Sequence, residues 1–261
     1  MLGYQHIYHA GNLADLHKHA LLAWVLARMA EKPKPFSYLE THAGRGVYDL
    51  DDEHAHRTGE ARAGILRAEA EGWLPEGHPL PRAIALTRSR FGATAYPGSP
   101  GIAAALLPRD CPMDLAELHP QEYAALYDAM PARVRCHHRD GFEMANALCP
   151  PTPRRGLLLI DPSYEVKRDY ERLPGLIARI TRKWNVGIIM LWYPVLTVPR
   201  HAAMQAELLD EHPGLLISEV RFPPAREGHG MIGSGLAVVN PPWGLAEEAA
   251  RIEALFAARL G

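Results

Sequence analysis

Leu157-Leu158-Leu159-Ile160-Asp161-Pro162-Ser163-Tyr164 decides the fold. Four aliphatic residues in a row read as a strand buried on both faces, as a parallel sheet requires. The run stops at an acid, a proline and an aromatic. In open α/β sheets, ligands bind outside the carboxyl ends of the strands. Asp161 offers carboxylate acceptors there, Pro162 a carbonyl with no competing N–H, and Tyr164 a flat face. Such a set suits a planar ring carrying an exocyclic amine. An ordinary strand ending in an Asp-Pro turn would look the same.

The surrounding chain sets bounds. It has 261 residues, 48% hydrophobic and 22% charged, as expected for one large globular core. The formal net charge of -2 does not advertise nucleic-acid binding, so any such surface is a local patch. Cys111, Cys136 and Cys149 form no C-x-x-C, which argues against a disulfide framework and a Cys₄ zinc site. No basic-then-apolar leader and no apolar stretch of membrane-spanning length is visible, so a cytoplasmic protein is expected.

Taken in order, Asn12 reads as the N-cap of a helix from Leu13 to Ala30, ended by Pro33 and Pro35. Phe36 to Glu40 is a first strand, followed by the loop Thr41-His42-Ala43-Gly44-Arg45-Gly46. From Tyr48 to Tyr96 no strand is convincing, and the segment reads as a helical insert. It is rich in arginines, among them Arg62, Arg67 and Arg88, which suit either solvated helix faces or a polyanion surface. Ser99 is expected to cap a helix to Leu107. Strands follow at Met113–Glu117 and Val134–His138, then the strand ending at Asp161. Helices are expected at Asp169–Lys183, Pro199–Glu211 and Leu245–Leu260, with strands at Val186–Trp192, Leu215–Phe222 and Leu236–Asn240. Pro223–Gly235 reads as a glycine-rich loop outside the core. Alternating strands and helices imply a parallel doubly wound sheet, and two final strands without a crossover helix imply an antiparallel hairpin.

Glu40, Glu117, Asp140 and Asp161 each fall at or just past a strand end. Four carboxylates along one sheet edge suit a ligand rich in donors and positive charge, and an anionic dinucleotide less well. Glu117 would clasp ribose hydroxyls and Asp140 would face an adenine amine. An acid at the first strand end followed by G-x-G also looks like the first motif of S-adenosylmethionine-dependent methyltransferases.

The chain then resembles one family along nearly its whole length. The shared residues include Tyr4, His6, His9-Ala10-Gly11-Asn12, Asp15 and Lys18-His19. They continue through Thr41-His42-Ala43-Gly44, His54-Ala55, Arg57-Thr58-Gly59-Glu60, Tyr96-Pro97-Gly98-Ser99-Pro100, Glu117-Leu118-His119-Pro120 and Asp140-Gly141. Arg154-Arg155-Gly156, Leu159-Ile160-Asp161-Pro162, Leu191-Trp192-Tyr193-Pro194, Gly235 and Asn240-Pro241-Pro242-Trp243 complete the set. These resemble the bacterial RlmJ family of S-adenosylmethionine-dependent 23S rRNA adenine-N6 methyltransferases. The resemblance implies a class I, Rossmann-like α/β fold: a seven-stranded, mostly parallel sheet with a terminal antiparallel hairpin. Residues 1–261 would form one domain, with 48–96 as an inserted helical subdomain. It implies cofactor contacts from Lys18, His19, His42, Gly44, Ser99, Glu117, Asp140, Gly141 and Asp161. Asp161, Pro162 and Tyr164 would be catalytic, and Tyr4, His6, Lys18 and Tyr164 would meet the RNA. The implied target is adenine 2030 of 23S rRNA, the expected assembly a monomer without metal. One residue departs: the family's Asp-Pro-Pro-Tyr stands here as Asp161-Pro162-Ser163-Tyr164, which keeps both acceptors.

An adenine amine is a poor nucleophile, because its lone pair is delocalised into the ring. Asp161 and the Pro162 carbonyl would aim that lone pair at a methyl carbon, so catalysis would be positioning plus electrostatics. The arginines of the insert and Arg154-Arg155 could hold the RNA backbone. Three other readings remain open here. His6, His9, His17 and His19 are dense enough to suggest a metal-dependent hydrolase, although no H-E-x-x-H accompanies them. Ser163 could mark a silent S-adenosylmethionine-binding RNA protein. A DNA adenine methyltransferase would share the chemistry and differ in partner.

Overall fold

The computed structural model describes residues 6–53, 59–225, 228 and 230–261. Its centre is strand β6, Gly156–Ile160, buried at every position. Side chains alternate across a strand, so Leu157 and Leu159 enter one apolar core and Leu158 and Ile160 the other. A strand buried on both faces needs parallel neighbours, and β6 has two: β1, Ser37–Glu40, and β7, Ile188–Leu196. Beyond β1 lie β4, Met113–Ala116, and β5, Arg135–His137. Beyond β7 lie β9, Met231–Val239, and β8, Leu216–Arg221, joined by antiparallel ladders. The full order is β5-β4-β1-β6-β7-β9-β8.

Helix α1, Leu13–Ala30, is buried almost all round, which explains the apolar residues on more than one of its faces. It starts where Asn12 accepts the Asp15 N–H at 2.8 Å. Helices α6, Gly141–Leu148, α7, Asp169–Lys183, and α8, His201–Glu211, belong to the opposite face. The last helix, Leu245–Leu260, packs with α1.

Three expectations are corrected. The stretch read as strandless carries a short antiparallel ribbon, β2 Val47–Asp49 against β3 Ala95–Pro97. Three-residue strands are too short to show alternation. Between them, a π-helical turn at Arg62–Leu66 runs into Arg67–Ala70, and Pro79–Phe91 is helical. The turn lies against the loop before α1: Ile65 N–H donates to Gly11 O at 2.8 Å, and a Cβ on Gly64 would lie 2.2 Å from that oxygen. Secondly, β7 and β9 run longer than their apolar cores suggested. Gly233 and Gly235, read as loop, are buried in β9, where a Cβ on Gly235 would stand 2.1 Å from the Tyr193 ring. Glycine there makes room for an aromatic on the neighbouring strand. Finally, Gly98 rather than Ser99 is the N-cap of helix Ser99–Leu106, because the Ser99 hydroxyl is drawn to Glu40.

Candidate functional site

A cavity of about 630 Å³ opens at the carboxyl ends of β1, β4 and β6 and is closed on one side by the start of α1. Asp161 enters it directly after β6. Its Oδ2 accepts from Lys18 Nζ at 2.6 Å, and the same ammonium lies 3.1 Å from Asp15 Oδ1. Asp15 is buried and also accepts from Gly11 N–H at 2.9 Å and meets His6 Nε2 at 2.8 Å. Burial opposes charge on Lys18, yet the two carboxylates outweigh it and hold the ammonium above its ordinary range. Burial likewise opposes charge on Asp15, and His6, Lys18 and His19 outweigh it, so this carboxyl stays well below its usual range. Trp192 closes the same corner, its ring centroid 5.6 Å from the ammonium.

The resemblance implies that Lys18 meets both cofactor and RNA. At 4% exposure between two acids it is instead the counter-ion of Asp161. A buried cation is paired because desolvating it alone is costly.

The loops after β1 and β4 form the next wall. Gly44, at φ 59°, donates its N–H to Glu117 Oε2 at 2.8 Å, and His119 N–H donates to Oε1 at 2.8 Å. A Cβ on Gly44 would fall 2.4 Å from the Tyr48 hydroxyl. Glycine here therefore lets the loop bind its own acid and pass close under the cavity. Burial raises the Glu117 pKa. Asp140 caps α6, its Oδ1 accepting from Phe142 and Glu143 N–H at 2.8 and 3.0 Å. Gly141 lets that helix start touch β1's loop, since a Cβ would lie 1.8 Å from Thr41 O. His42 bonds Thr41 Oγ1 at 2.7 Å and meets the Phe142 ring edge-on at 5.0 Å. His19 Nδ1 lies 2.7 Å from the Tyr96 hydroxyl. Burial lowers both imidazoles, to about 4 for His42 and about 3 for His19, so both are neutral at pH 7.

The structure thus brings His6, Lys18, His19, His42, Gly44, Ser99, Glu117, Asp140, Gly141, Asp161, Pro162 and Tyr164 around one cavity. Tyr4 lies outside the described residues. Of the four strand-end acids, Glu40 does not reach the cavity. It is fully buried, with hydroxyl donors Tyr38, at 2.7 Å, and Ser99. Burial pushes its pKa up to about 8.

Tyr164, expected to present an open ring, is 8% exposed. The Tyr164 hydroxyl donates to Trp192 O at 2.7 Å, and the Tyr170 ring lies 4.4 Å from the Tyr164 ring, centroid to centroid. Only part of the ring faces the cavity. Arg154 and Arg155 precede β6 and so stand at the end of the strand away from Asp161. Their guanidiniums donate there to Lys183 O, and to Lys34 O and Met29 O, and neither lines the cavity. Two arginines of the 48–96 segment are paired with acids, Arg67 with Glu71 and Arg88 with Glu69. Of the four clustered histidines, His6, His9 and His19 line the cavity, His9 meeting Glu60, whereas His17 points away between the Ser234 and Ser218 hydroxyls, at 2.9 and 3.1 Å. Asp15, Tyr170 and Trp192 escaped the sequence reading as site residues. Their signals were present: an acid one helical turn before Lys18, and aromatics just after the Asp161 loop and midway along β7.

A sheet ordered β5-β4-β1-β6-β7-β9-β8, with acids gathered at its carboxyl edge, defines a class I methyltransferase-type Rossmann-like fold. A family described as "Ribosomal RNA large subunit methyltransferase D, RlmJ" matches residues 33–261. The chain is 41% identical over 254 residues to ribosomal RNA large subunit methyltransferase J of Escherichia coli strain K12, covering 95% of this chain and 90% of that protein. It is 37% identical over 256 residues to the protein of the same name from Haemophilus influenzae, covering 94% and 89%. The crystal structure of protein LPL1258 from Legionella pneumophila superposes with a TM-score of 0.84 at 34% identity, covering 94% of this chain and 92% of that one. The chain belongs to the ribosomal RNA large subunit methyltransferase J family. Among the described residues, no helix is long and apolar enough to cross a membrane.

Proposed function

We propose that this protein transfers a methyl group from S-adenosylmethionine to the N6 amine of one adenine in 23S rRNA, adenine 2030 by family resemblance, in the cytoplasm. One observation supports this most: a carboxylate at the end of the central strand, Asp161, bonded to a buried lysine inside the cavity.

The donor set fits the cofactor. Glu117 retains lone pairs suited to ribose hydroxyls, and Asp140 and the α6 start suit an adenine edge. His19, His42, Gly44, Ser99 and Gly141 complete that wall. When bound, the sulfonium supplies an electrophilic methyl carbon. The chain's own residues do the rest. Asp161 and the Pro162 carbonyl accept the N–H bonds of the target amine, turning its lone pair out of conjugation and toward the methyl group. Lys18 fixes the Asp161 carboxylate in place. The N6 proton released after transfer passes to Asp161 or to solvent. The target base leaves its stack to reach Asp161 and the part of Tyr164 that faces the cavity.

Purified protein with labelled S-adenosylmethionine and unmodified 23S rRNA tests the reading. Label recovered as N6-methyladenine, absent with Asp161→Asn, is the expected result. Label on another base, or preferential transfer to DNA in competition, overturns it.

A further inference from the structure

Tyr170 stands in the first turn of α7, just past the loop that carries Asp161, and it lines the same cavity. The residue is 7% exposed, and its ring packs on Tyr164. Its hydroxyl is buried and has no hydrogen-bond partner among the described residues. Leaving a buried hydroxyl unsatisfied costs about 1–3 kcal/mol, so such a group calls for a partner. Burial pushes its pKa up to about 12, so it keeps its proton and can donate.

Its neighbours indicate what it would donate to. Arg200, just before α8, is near enough for its charge to act on this hydroxyl. Lys167 lies on the loop between Asp161 and α7. Both are exposed and line the cavity, and neither guanidinium nor ammonium has an acidic partner among the described residues. The nearby acid Asp169 is itself faced by Arg172 at 3.7 Å, and Asp140 is engaged in capping α6. A proton donor beside the uncommitted Arg200, with Lys167 on the same cavity lining, selects an anion, and the anion an RNA brings everywhere is phosphate.

We propose that the Tyr170 hydroxyl, with Arg200 and Lys167, binds an RNA phosphate next to the nucleotide presented to Asp161. This rests on the RNA methyl transfer proposed above. The contact would carry no base information. It would hold the strand while the target adenine is turned out, and the Tyr164–Tyr170 packing ties the anchor to the Asp161 loop.

The test uses the full protein and an RNA fragment that the wild type methylates. Failure of the wild type on 23S rRNA speaks against the reaction class and is thereby separate. Tyr170→Phe keeps the ring packing and should raise KM for RNA about tenfold, the cost of one hydrogen bond to a charged group. Cofactor affinity by calorimetry should not change. Arg200→Gln, at an exposed position, should raise KM and lower the salt slope of binding by about one. A fragment with neutral methylphosphonates flanking the target should lose affinity for the wild type, and Tyr170→Phe should then add no further loss. Wild-type KM and salt slope in both variants would overturn the proposal. So would a Tyr170→Phe loss of equal size on charged and neutral backbones, which would place the hydroxyl on a base.

Discussion

Replacing Asp161 by alanine should damage stability as well as methyl transfer. A residue in a strand-end loop would ordinarily be cheap to truncate, but here it is the counter-ion of a lysine that is 4% exposed. Removing one partner of a buried pair costs about 3–5 kcal/mol. Lys18 would keep Asp15 at 3.1 Å and the Trp192 face, which brings the cost to about 2 kcal/mol, or about 4–8 °C in Tm for a chain of this size. Asp161→Asn retains an amide oxygen for Lys18 and should cost under about 1 kcal/mol. Both variants should lose methyl transfer about a hundredfold or more. The deciding assay is a double-mutant cycle by chemical denaturation. In a Lys18→Met background the ammonium is gone, and Asp161→Ala should then cost under about 0.5 kcal/mol, giving a coupling of about 1.5–2 kcal/mol. If Asp161→Ala costs the same in both backgrounds, the pair does not contribute as described and the account of the site's electrostatics fails.

Glu40→Gln should flatten the pH dependence of stability. A carboxyl whose folded pKa is raised to about 8 is favoured uncharged, so its contribution is intact below the usual carboxylate range and fades as pH climbs toward 8. At about 1.4 kcal/mol per unit the ceiling is about 5 kcal/mol, with the two hydroxyl donors already counted in the raised value. Melting curves of wild type and variant from pH 5 to 8 should diverge in favour of the variant, and parallel curves would contradict this. Gly141→Ala must push α6 off the Thr41 carbonyl. It should cost about 1–3 kcal/mol and weaken cofactor binding by calorimetry, whereas unchanged affinity would place the cofactor elsewhere. Glu117→Ala should also weaken cofactor binding, because it frees the Gly44 loop as well as removing an acceptor. Glu117→Gln should weaken it less, and equal losses would argue against the loop-tethering part.

Much of the sheet was legible because its signals are local. The bounds of Leu13–Ala30, Asp169–Lys183 and Leu245–Leu260 follow from caps, prolines and apolar periodicity, and the structure places them as read. The Asp161 motif was legible because four buried aliphatic residues and an abrupt polar stop sit side by side. What stayed hidden depends on distant partners. Nothing near Lys18 shows that its ammonium ends on an acid 143 positions away. Nothing near Arg155 shows that it closes the end of α1 through Met29 and Lys34. The glycines of β9 read as loop because the aromatic that needs their space, Tyr193, lies on another strand.

The burial of α1 on every side sets an order for biosynthesis. His17 is fixed by Ser234, 217 positions later, and residues 13–30 pack on β9 and the last helix. Translation delivers the helix first, its covers Pro79–Phe91 and Ser99–Leu106 soon after, and β9 and the last helix at the end. Until then, the part of α1 that β9 and the last helix cover has no native surface to bury against. A slow codon stretch or a stall before residue 231 would lengthen that exposure without altering one native contact. The amount of folded protein recovered should therefore respond to elongation rate and to holdase chaperones.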